Sequence, residues 1–367
     1  MYDVIVVGAR CAGSPTAMLL AQKGHRILVI DRSTFPSDIL STHYIQVEGV
    51  ARLRKWGLIE KMDAAGCRPI EKITFFMNGF GLTPPEIPGA PVERAYCPRR
   101  TVLDKLLVDA AREAGAEVRE GVTLQDLLIE GDRVIGVRAR TKDGEVFEER
   151  ATVVVGADGM HSRVAKIVDA PAYDEHPSLS CAYYSYFSGT NLEGAELHIG
   201  ENGGILAFPT NDGLDCIAVG QSNEMFEEFR SDIEGNFMRY MEAISPAMHE
   251  RVRAGKREER WEGTADVPNF FRKPYGPGWA LVGDAGYHRD PITGLGINDA
   301  FRDAELLSTA LDEGLSGRAA MDDALAAYEQ QRNEIAKPMY EFTIALASGT
   351  PPPEMVAAIE AAQAQGD

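Results

Sequence analysis

Six residues near the start of the chain, Gly8-Ala9-Arg10-Cys11-Ala12-Gly13, carry its densest chemical signal. They follow a continuous apolar run, Val4 to Val7, and open a stretch from about Ala12 to Lys23 that reads as a helix. A glycine turn in that place aims backbone N–H groups and a helix N-terminus at an anion, and a pyrophosphate suits it. The next apolar run, Arg26 to Ile30, ends at Asp31, whose carboxylate can accept hydrogen bonds from ribose hydroxyls; Arg32 beside it is a further candidate contact. Strand, turn, helix, strand and acid together predict a dinucleotide site that includes Gly8, Ala12, Gly13, Asp31 and Arg32. Arg10 departs from the fingerprint, standing where a middle glycine normally lets the pyrophosphate approach. Two readings are open: its guanidinium swings towards cofactor or substrate as a catalytic positive charge, or it points to solvent.

Three later segments choose among dinucleotides. Arg100-Thr101-Val102-Leu103 with Leu107 reads as an amphipathic helix. Gly156-Ala157-Asp158-Gly159 with Ser162 ends a third apolar run, and Trp279 to Ala285 leads into Asp290-Pro291-Ile292-Thr293-Gly294-Leu295-Gly296-Ile297-Asn298. In this order, over residues 1 to 311, the four segments resemble the group A (PHBH-type) FAD-dependent monooxygenases, the aromatic hydroxylases. The resemblance implies FAD as the cofactor. It implies an α/β fold of glutathione-reductase type, a Rossmann-like FAD-binding domain with an inserted antiparallel-sheet substrate domain. By the same resemblance Gly283 and Asp284 meet the ribityl chain, and Pro291, Gly294, Gly296 and Ile297 meet the flavin pyrimidine and pyrophosphate. Asp158 belongs to the family's Asp-Gly motif, Arg100 lies beside the dinucleotide with Arg99 as its competitor, and Val122 offers its backbone to the adenine. The chemistry agrees, since a carboxylate suits a row of ribityl hydroxyls and amides at a helix N-terminus suit the electron-rich edge of a reduced flavin.

The resembled hydroxylases imply NADPH or NADH as a transient reductant, because a single dinucleotide fingerprint is present. They also imply O2 as co-substrate, oxygen addition at the flavin to give a C4a-hydroperoxide, and a small aromatic or polyketide-like molecule as acceptor. Ala165 stands where the family often has Arg, so the details of pyridine-nucleotide docking do not carry over from the resemblance. His43, in Leu40-Ser41-Thr42-His43, and His288 are candidate bases, since histidine titrates near working pH; each can equally be a structural residue. Tyr184 and Tyr186 share one face of a strand opposite Tyr183, and Phe208-Pro209 ends another strand. These four either border a substrate pocket or are sheet packing. Gly283 to Ile297 also resembles geranylgeranyl-reductase-like flavoenzymes, which reduce C=C bonds, although their cysteine-glycine motif is replaced here by Ser41-Thr42-His43. Halogenases share the fold, but a Trp-x-Trp-x-Ile-Pro segment is absent from the sequence. A non-catalytic flavin redox sensor is the reading from another class.

The periodicity places these residues on predicted elements. A helix spans 47–66, and a strand Ile73 to Met77 leads into a Pro/Gly-rich loop from Gly79 to Pro91. A helix runs from Arg100 to Ala114, followed by strands near 117–119, 124–130, 133–140, 145–150 and 152–155. Aromatic and β-branched runs between 173 and 268 predict an antiparallel sheet with Asn211-Asp212-Gly213 as a hairpin turn, then a helical pair over 223–254. Helices at Asn298–Leu311 and Met321–Ala347 complete the pattern. The expected division is a discontinuous FAD-binding domain (1–70, 97–172 and 269–349), a substrate domain (71–96 and 173–268) and a tail (350–367).

Composition bounds the partners. A net charge of -19 repels a phosphate backbone, so nucleic acid is not expected and an anionic cofactor must be held locally. Five scattered cysteines without metal spacing predict reduced thiols and no metal. No apolar run approaches membrane-spanning length, and the chain opens on a strand with no basic leader, so a cytoplasmic protein without a membrane span is expected. The oligomeric state is left open.

Overall fold

In a computed structural model, residues 1–77, 80–83, 94–200 and 203–350 are described. Most of the Gly79–Pro91 loop and the tail beyond Thr350 lie outside them. The apolar runs became the middle of one sheet. Its strands lie in the order Tyr275–Gly276, Trp279–Leu281, Val146–Gly156, Tyr2–Val7, Ile27–Asp31 and Glu117–Glu120. The four neighbours from Trp279–Leu281 to Ile27–Asp31 are parallel, as is Glu117–Glu120 beside them.

Both faces of this sheet are covered, which is why its central strands are apolar at every position. Val4, Val6, Val29, Val153 and Val155 pack beneath the helices Gly13–Gln22, Arg100–Glu113 and Gly296–Leu315. Ile5, Val7, Leu28, Ile30 and Val154 face the other way, under a meander formed by Val122–Glu130, Arg133–Thr141 and the first half of Val146–Gly156. The strands expected at 145–150 and 152–155 are therefore one continuous strand. Its first half pairs antiparallel in the meander and its second half parallel in the main sheet.

The second large sheet runs Lys256–Arg257, Ser180–Ser188, Asp215–Ser222, Gly203–Pro209, Ala195–Gly200, Ile73–Met77 and Phe80–Leu82. All its pairings are antiparallel except Ala195–Gly200 with Ile73–Met77. The Asn211–Gly213 turn closes its hairpin, with Asp212 at φ 60. One face, with Tyr183, Phe187, Ile205, Ile217 and Val219, is covered by helices Phe226–Ser231, Ile233–Ile244 and Pro246–Ala254. The expected helical pair is thus three helices. Asp232 and Ser245 interrupt it, each accepting a backbone N–H as an N-cap. The opposite face, with Tyr184, Tyr186, Phe208 and Cys216, turns to the first sheet's loops.

The helix expected over 47–66 is also divided, into Val47–Lys55 and Ile59–Ala64. Gly57 at φ 72 ends the first segment in a left-handed cap. Met321–Ala347 is one helix, and it carries the fully buried Arg332. Arg332 donates to Gly286 O at 3.0 Å, Arg272 O at 3.1 Å and Tyr173 Oη at 3.0 Å, joining the last helix to the loop that follows Gly283. No helix among the described residues is long and apolar enough to cross a membrane.

Removing that guanidinium breaks its bonds to two carbonyls and to the Tyr173 hydroxyl, and leaves Gly286 O with the Arg272 N–H as its remaining donor. Arg332→Met is expected to lower unfolding stability by about 2–4 kcal/mol in denaturant titration. An unchanged midpoint would show that these bonds add nothing to the fold.

Candidate active site

The first glycine turn is shaped by contacts that leave no room for side chains. Gly8 has φ +104, and a Cβ there would stand 2.4 Å from Ala157 O. A Cβ on Gly13 would stand 1.8 Å from Gly8 O, and one on Gly283 (φ +59) would stand 2.7 Å from Ala12 Cβ. The fingerprint turn, the Asp-Gly segment and the Gly-Asp segment therefore meet at backbone distance. Asp31, at the tip of its strand, accepts N–H bonds from Ala9 and Ser33, both at 2.7 Å. Arg32 is exposed next to it, and Val122 is buried at the start of the meander.

Arg10 does not point to solvent. Its guanidinium bonds Asp104, donates to Ser37 Oγ at 3.0 Å and lies over the Phe35 ring. Arg100 donates Nε and Nη2 to the same carboxylate at 3.0 and 2.9 Å. Asp104, fully buried one turn along the helix from Arg100, thus clamps two arginines with one negative charge. Sequence reading missed it. The i,i+4 spacing from Arg100 was the available signal, but the partnership with Arg10 is 94 residues apart. Arg99 turns the other way, to Glu259 at 2.9 Å, Asp38 at 3.3 Å and the face of Tyr186 at 4.4 Å. Asp158 is occupied locally, accepting from Ser162 Oγ at 2.5 Å and from the N–H groups of Arg163 (2.6 Å) and Val164 (3.2 Å).

Beyond the strand Trp279–Leu281, Asp284 is exposed and makes no hydrogen bond or ion pair among the described residues. Gly294 takes φ +63 and Gly296 opens the long helix, with nothing within 4 Å of where its Cβ would be. Pro291 begins the short turn before them, and Ile297 is buried behind. The loop after the second strand is tied onto this turn, for Gln46 N–H donates to Asn298 Oδ1 at 3.1 Å and Gln46 Nε2 to Thr293 O at 3.2 Å. Asp290, buried at the turn's start, accepts from Ser180 Oγ at 2.7 Å and Ile292 N–H at 3.0 Å. Burial holds its carboxyl above the ordinary aspartate range against those bonds.

The tied loop carries His43 and Tyr44 onto the aromatic face of the second sheet. Tyr44 stacks on Phe208 at 4.6 Å, next to Pro209 at the strand end. His43 is fully buried, with φ 61, a left-handed conformation that a non-glycine residue adopts only under constraint. Its Nε2 lies 2.8 Å from Tyr186 Oη, and its ring meets Tyr184 and Tyr186 edge-on at 5.5 and 5.8 Å. Burial raises both tyrosines well above the ordinary phenol range. His288 belongs instead to a small sheet with Ala172–His176 and Asn269–Arg272; its Nδ1 contacts Pro268 O and its ring stacks on Phe270. The structure brings His43, Tyr184, Tyr186 and Phe208 together and gives His288 different partners.

These residues fit an extended FAD. An open glycine at a helix start, an exposed carboxylate without a partner and an arginine pair neutralised only by half match pyrimidine, ribityl hydroxyls and pyrophosphate respectively. The comparisons with known proteins agree. Residues 1–343 match the FAD binding domain family, and the chain belongs to it. It is 28% identical over 344 residues to a digeranylgeranylglycerophospholipid reductase of Methanosarcina acetivorans, covering 91% of this chain and 81% of the relative. It is 30% identical over 325 residues to the enzyme of that name from Methanosarcina mazei, covering 86% and 76%. Among solved structures, the myxobacterial chondrochloren halogenase CndH aligns with TM-score 0.87 at 24% identity, covering 100% of this chain and 90% of that one. PqsL, a probable FAD-dependent monooxygenase from Pseudomonas aeruginosa, aligns with TM-score 0.83 at 22% identity, covering 98% and 99%. At those identities the structures speak for the fold. The chain is an FAD-dependent oxidoreductase of PHBH-type, Rossmann-like α/β architecture.

Asp284 gives the sharpest test of the cofactor assignment, because its exposed side chain holds nothing else. Asp284→Ala is expected to weaken FAD binding about tenfold, roughly one or two charge-assisted hydrogen bonds, with the melting temperature of the apoprotein unchanged. Equal affinity in a flavin-fluorescence titration would remove Asp284 from the site.

Proposed function

We propose that this protein is a monooxygenase that uses NADPH or NADH and O2 to hydroxylate a small aromatic or polyketide-like molecule. The supporting observation is the buried His43–Tyr186 couple, at 2.8 Å, on an otherwise apolar wall made by Tyr184, Phe208, Leu206 and Leu197. When bound, FAD would supply the redox chemistry between nicotinamide and oxygen. The chain's own residues bind, orient and move a proton. Gly8, Ala12 and Gly13, with the Arg10 and Arg100 guanidiniums, hold the pyrophosphate, and Asp31 and Arg32 hold the adenosine ribose. Asp284, Pro291, Gly294, Gly296 and Ile297 hold the ribityl chain and pyrimidine, and the face bearing Phe208 and Pro209 excludes water from the acceptor. The couple takes the proton of a substrate hydroxyl: that O–H breaks, the Tyr186 O–H is remade, and an N–H forms at His43 Nε2. A deprotonated phenol is the more electron-rich acceptor for oxygen. Arg10 serves by position and charge at the phosphates, not as a group on the reacting atoms.

Reduction of a C=C bond is the second reading, and the Methanosarcina relatives favour it. The two reactions differ by product mass. Incubation with NAD(P)H and a panel of phenols, polyketides and isoprenoids is expected to yield products heavier by one oxygen; products heavier by two hydrogens would replace hydroxylation with reduction. Stimulated NAD(P)H oxidation by any of them excludes a bare redox sensor.

The couple is tested separately. His43→Ala is expected to lower kcat/KM about 100-fold or more while FAD stays bound, and His288→Ala to change it far less. Full activity in His43→Ala would discard the histidine as proton acceptor.

A further inference from the structure

The loop that delivers His43 is held with little help from its own backbone. Among the described residues, no N–H or C=O from Thr34 to Tyr44 bonds another backbone group. Side chains hold it instead. Phe35 N–H donates to Glu120 Oε2 at 2.7 Å, Thr42 O accepts the Cys97 thiol at 3.8 Å, and His43 N–H turns back on Ser41 Oγ at 3.1 Å. Between these points Ile39 and Leu40 are exposed. A segment held in this way opens more easily than the strands beside it. His43, at φ 61, also needs outside restraint to keep its left-handed backbone.

Two arginines supply that restraint from opposite sides. Arg99 reaches Asp38 Oδ2 at 3.3 Å, and its guanidinium lies 4.4 Å from the centre of the Tyr186 ring. Arg10 comes from the glycine turn. It donates to Ser37 Oγ at 3.0 Å and lies 5.4 Å from the centre of the Phe35 ring. The same guanidinium bonds Asp104 and stands 3.4 Å from Ser33 Oγ. A guanidinium has more N–H groups than these bonds use, and the Arg10 side chain keeps 19% of its surface exposed beside the turn. One side chain thus touches the dinucleotide helix, the loop of the base and the place expected for a diphosphate.

We propose that Arg10 is a positioning residue for His43: through Ser37 it ties the loop of the base to the diphosphate of bound FAD, so that a filled cofactor site holds His43 in register with Tyr186. The arginine that replaces the fingerprint's middle glycine then has a task that glycine could not perform. Every link is non-covalent. The diphosphate takes the free N–H groups and restrains the guanidinium, the guanidinium holds Ser37 Oγ, and Ser37 with the Arg99–Asp38 pair limits how far the segment up to His43 can swing. The effect is reciprocal, because a closed loop presents Arg10 to the diphosphate and strengthens FAD binding in turn. The use of His43 on a substrate rests on the hydroxylase reading; the coupling of its loop to FAD does not.

Hydrogen exchange followed by mass spectrometry on the full chain, stripped of flavin and reloaded, tests the link without any substrate. FAD is expected to slow exchange of the amides from Ile39 to Thr42 about tenfold in the native protein. In Ser37→Ala and Arg10→Met, at the same flavin occupancy, the slowing is expected to fall below about twofold, and Ser37→Thr, which keeps the hydroxyl, to restore it. Ser37→Ala is also expected to weaken FAD binding by a similar factor in a flavin-fluorescence titration. Equal slowing in the native protein and both variants, or none in the native protein, overturns the proposal. With an identified substrate, Ser37→Ala saturated with FAD is expected to lose about tenfold in kcat with KM little changed, and Ser37→Thr to recover it. Native kcat in Ser37→Ala overturns the positioning of His43. A protein that hydroxylates nothing yet gives the expected exchange pattern keeps the coupling and loses the reaction.

Discussion

Everything at this site depends on three pieces of backbone approaching closer than side chains permit. Gly8 against Ala157, Gly13 against Gly8 and Gly283 against Ala12 bring turns from the start, middle and end of the chain into one point. A methyl group at any of them would need something to shift, and at Gly8 and Gly13 the obstacle is backbone, which cannot swing aside. In the proposed FAD site, helix N-termini, the Asp104 clamp and the Asp284 carboxylate would share one target only because that junction closes.

Charge is the second constraint. A chain with net charge -19 is a poor host for a diphosphate unless positive charge is localised. Asp104 does this by holding Arg10 and Arg100 together while cancelling one of their two charges. The residual positive charge stays beside the turn at a bearable desolvation cost. Arg10, in place of the fingerprint's middle glycine, is a guanidinium fixed by Asp104, Ser37 and Phe35 beside the turn.

Much of the fold was legible because local pattern and final environment coincide. Strands such as Val4–Val7 and Val153–Val155 are apolar throughout because helices or a meander cover both faces, and Gly8 to Gly13 between two such strands is a local signal. The alternation at Tyr183, Tyr184 and Tyr186 likewise separated two real faces. What stayed hidden depends on pairs distant in the chain. Asp104 meets Arg10 and His43 meets Tyr186 only through the packed fold. Helix ends were misjudged where one residue decides, as at Gly57 and Asp232, since periodicity runs through a cap without registering it.

The junction is proposed to close around one extended FAD per chain. Apoprotein reconstituted with flavin and passed through gel filtration, with flavin and protein quantified by absorbance, tests it most directly. One FAD per chain is expected in the native protein and none retained by Gly13→Val, whose side chain would occupy the turn. A native protein that elutes colourless, or a valine variant that retains a full complement of flavin, would contradict it.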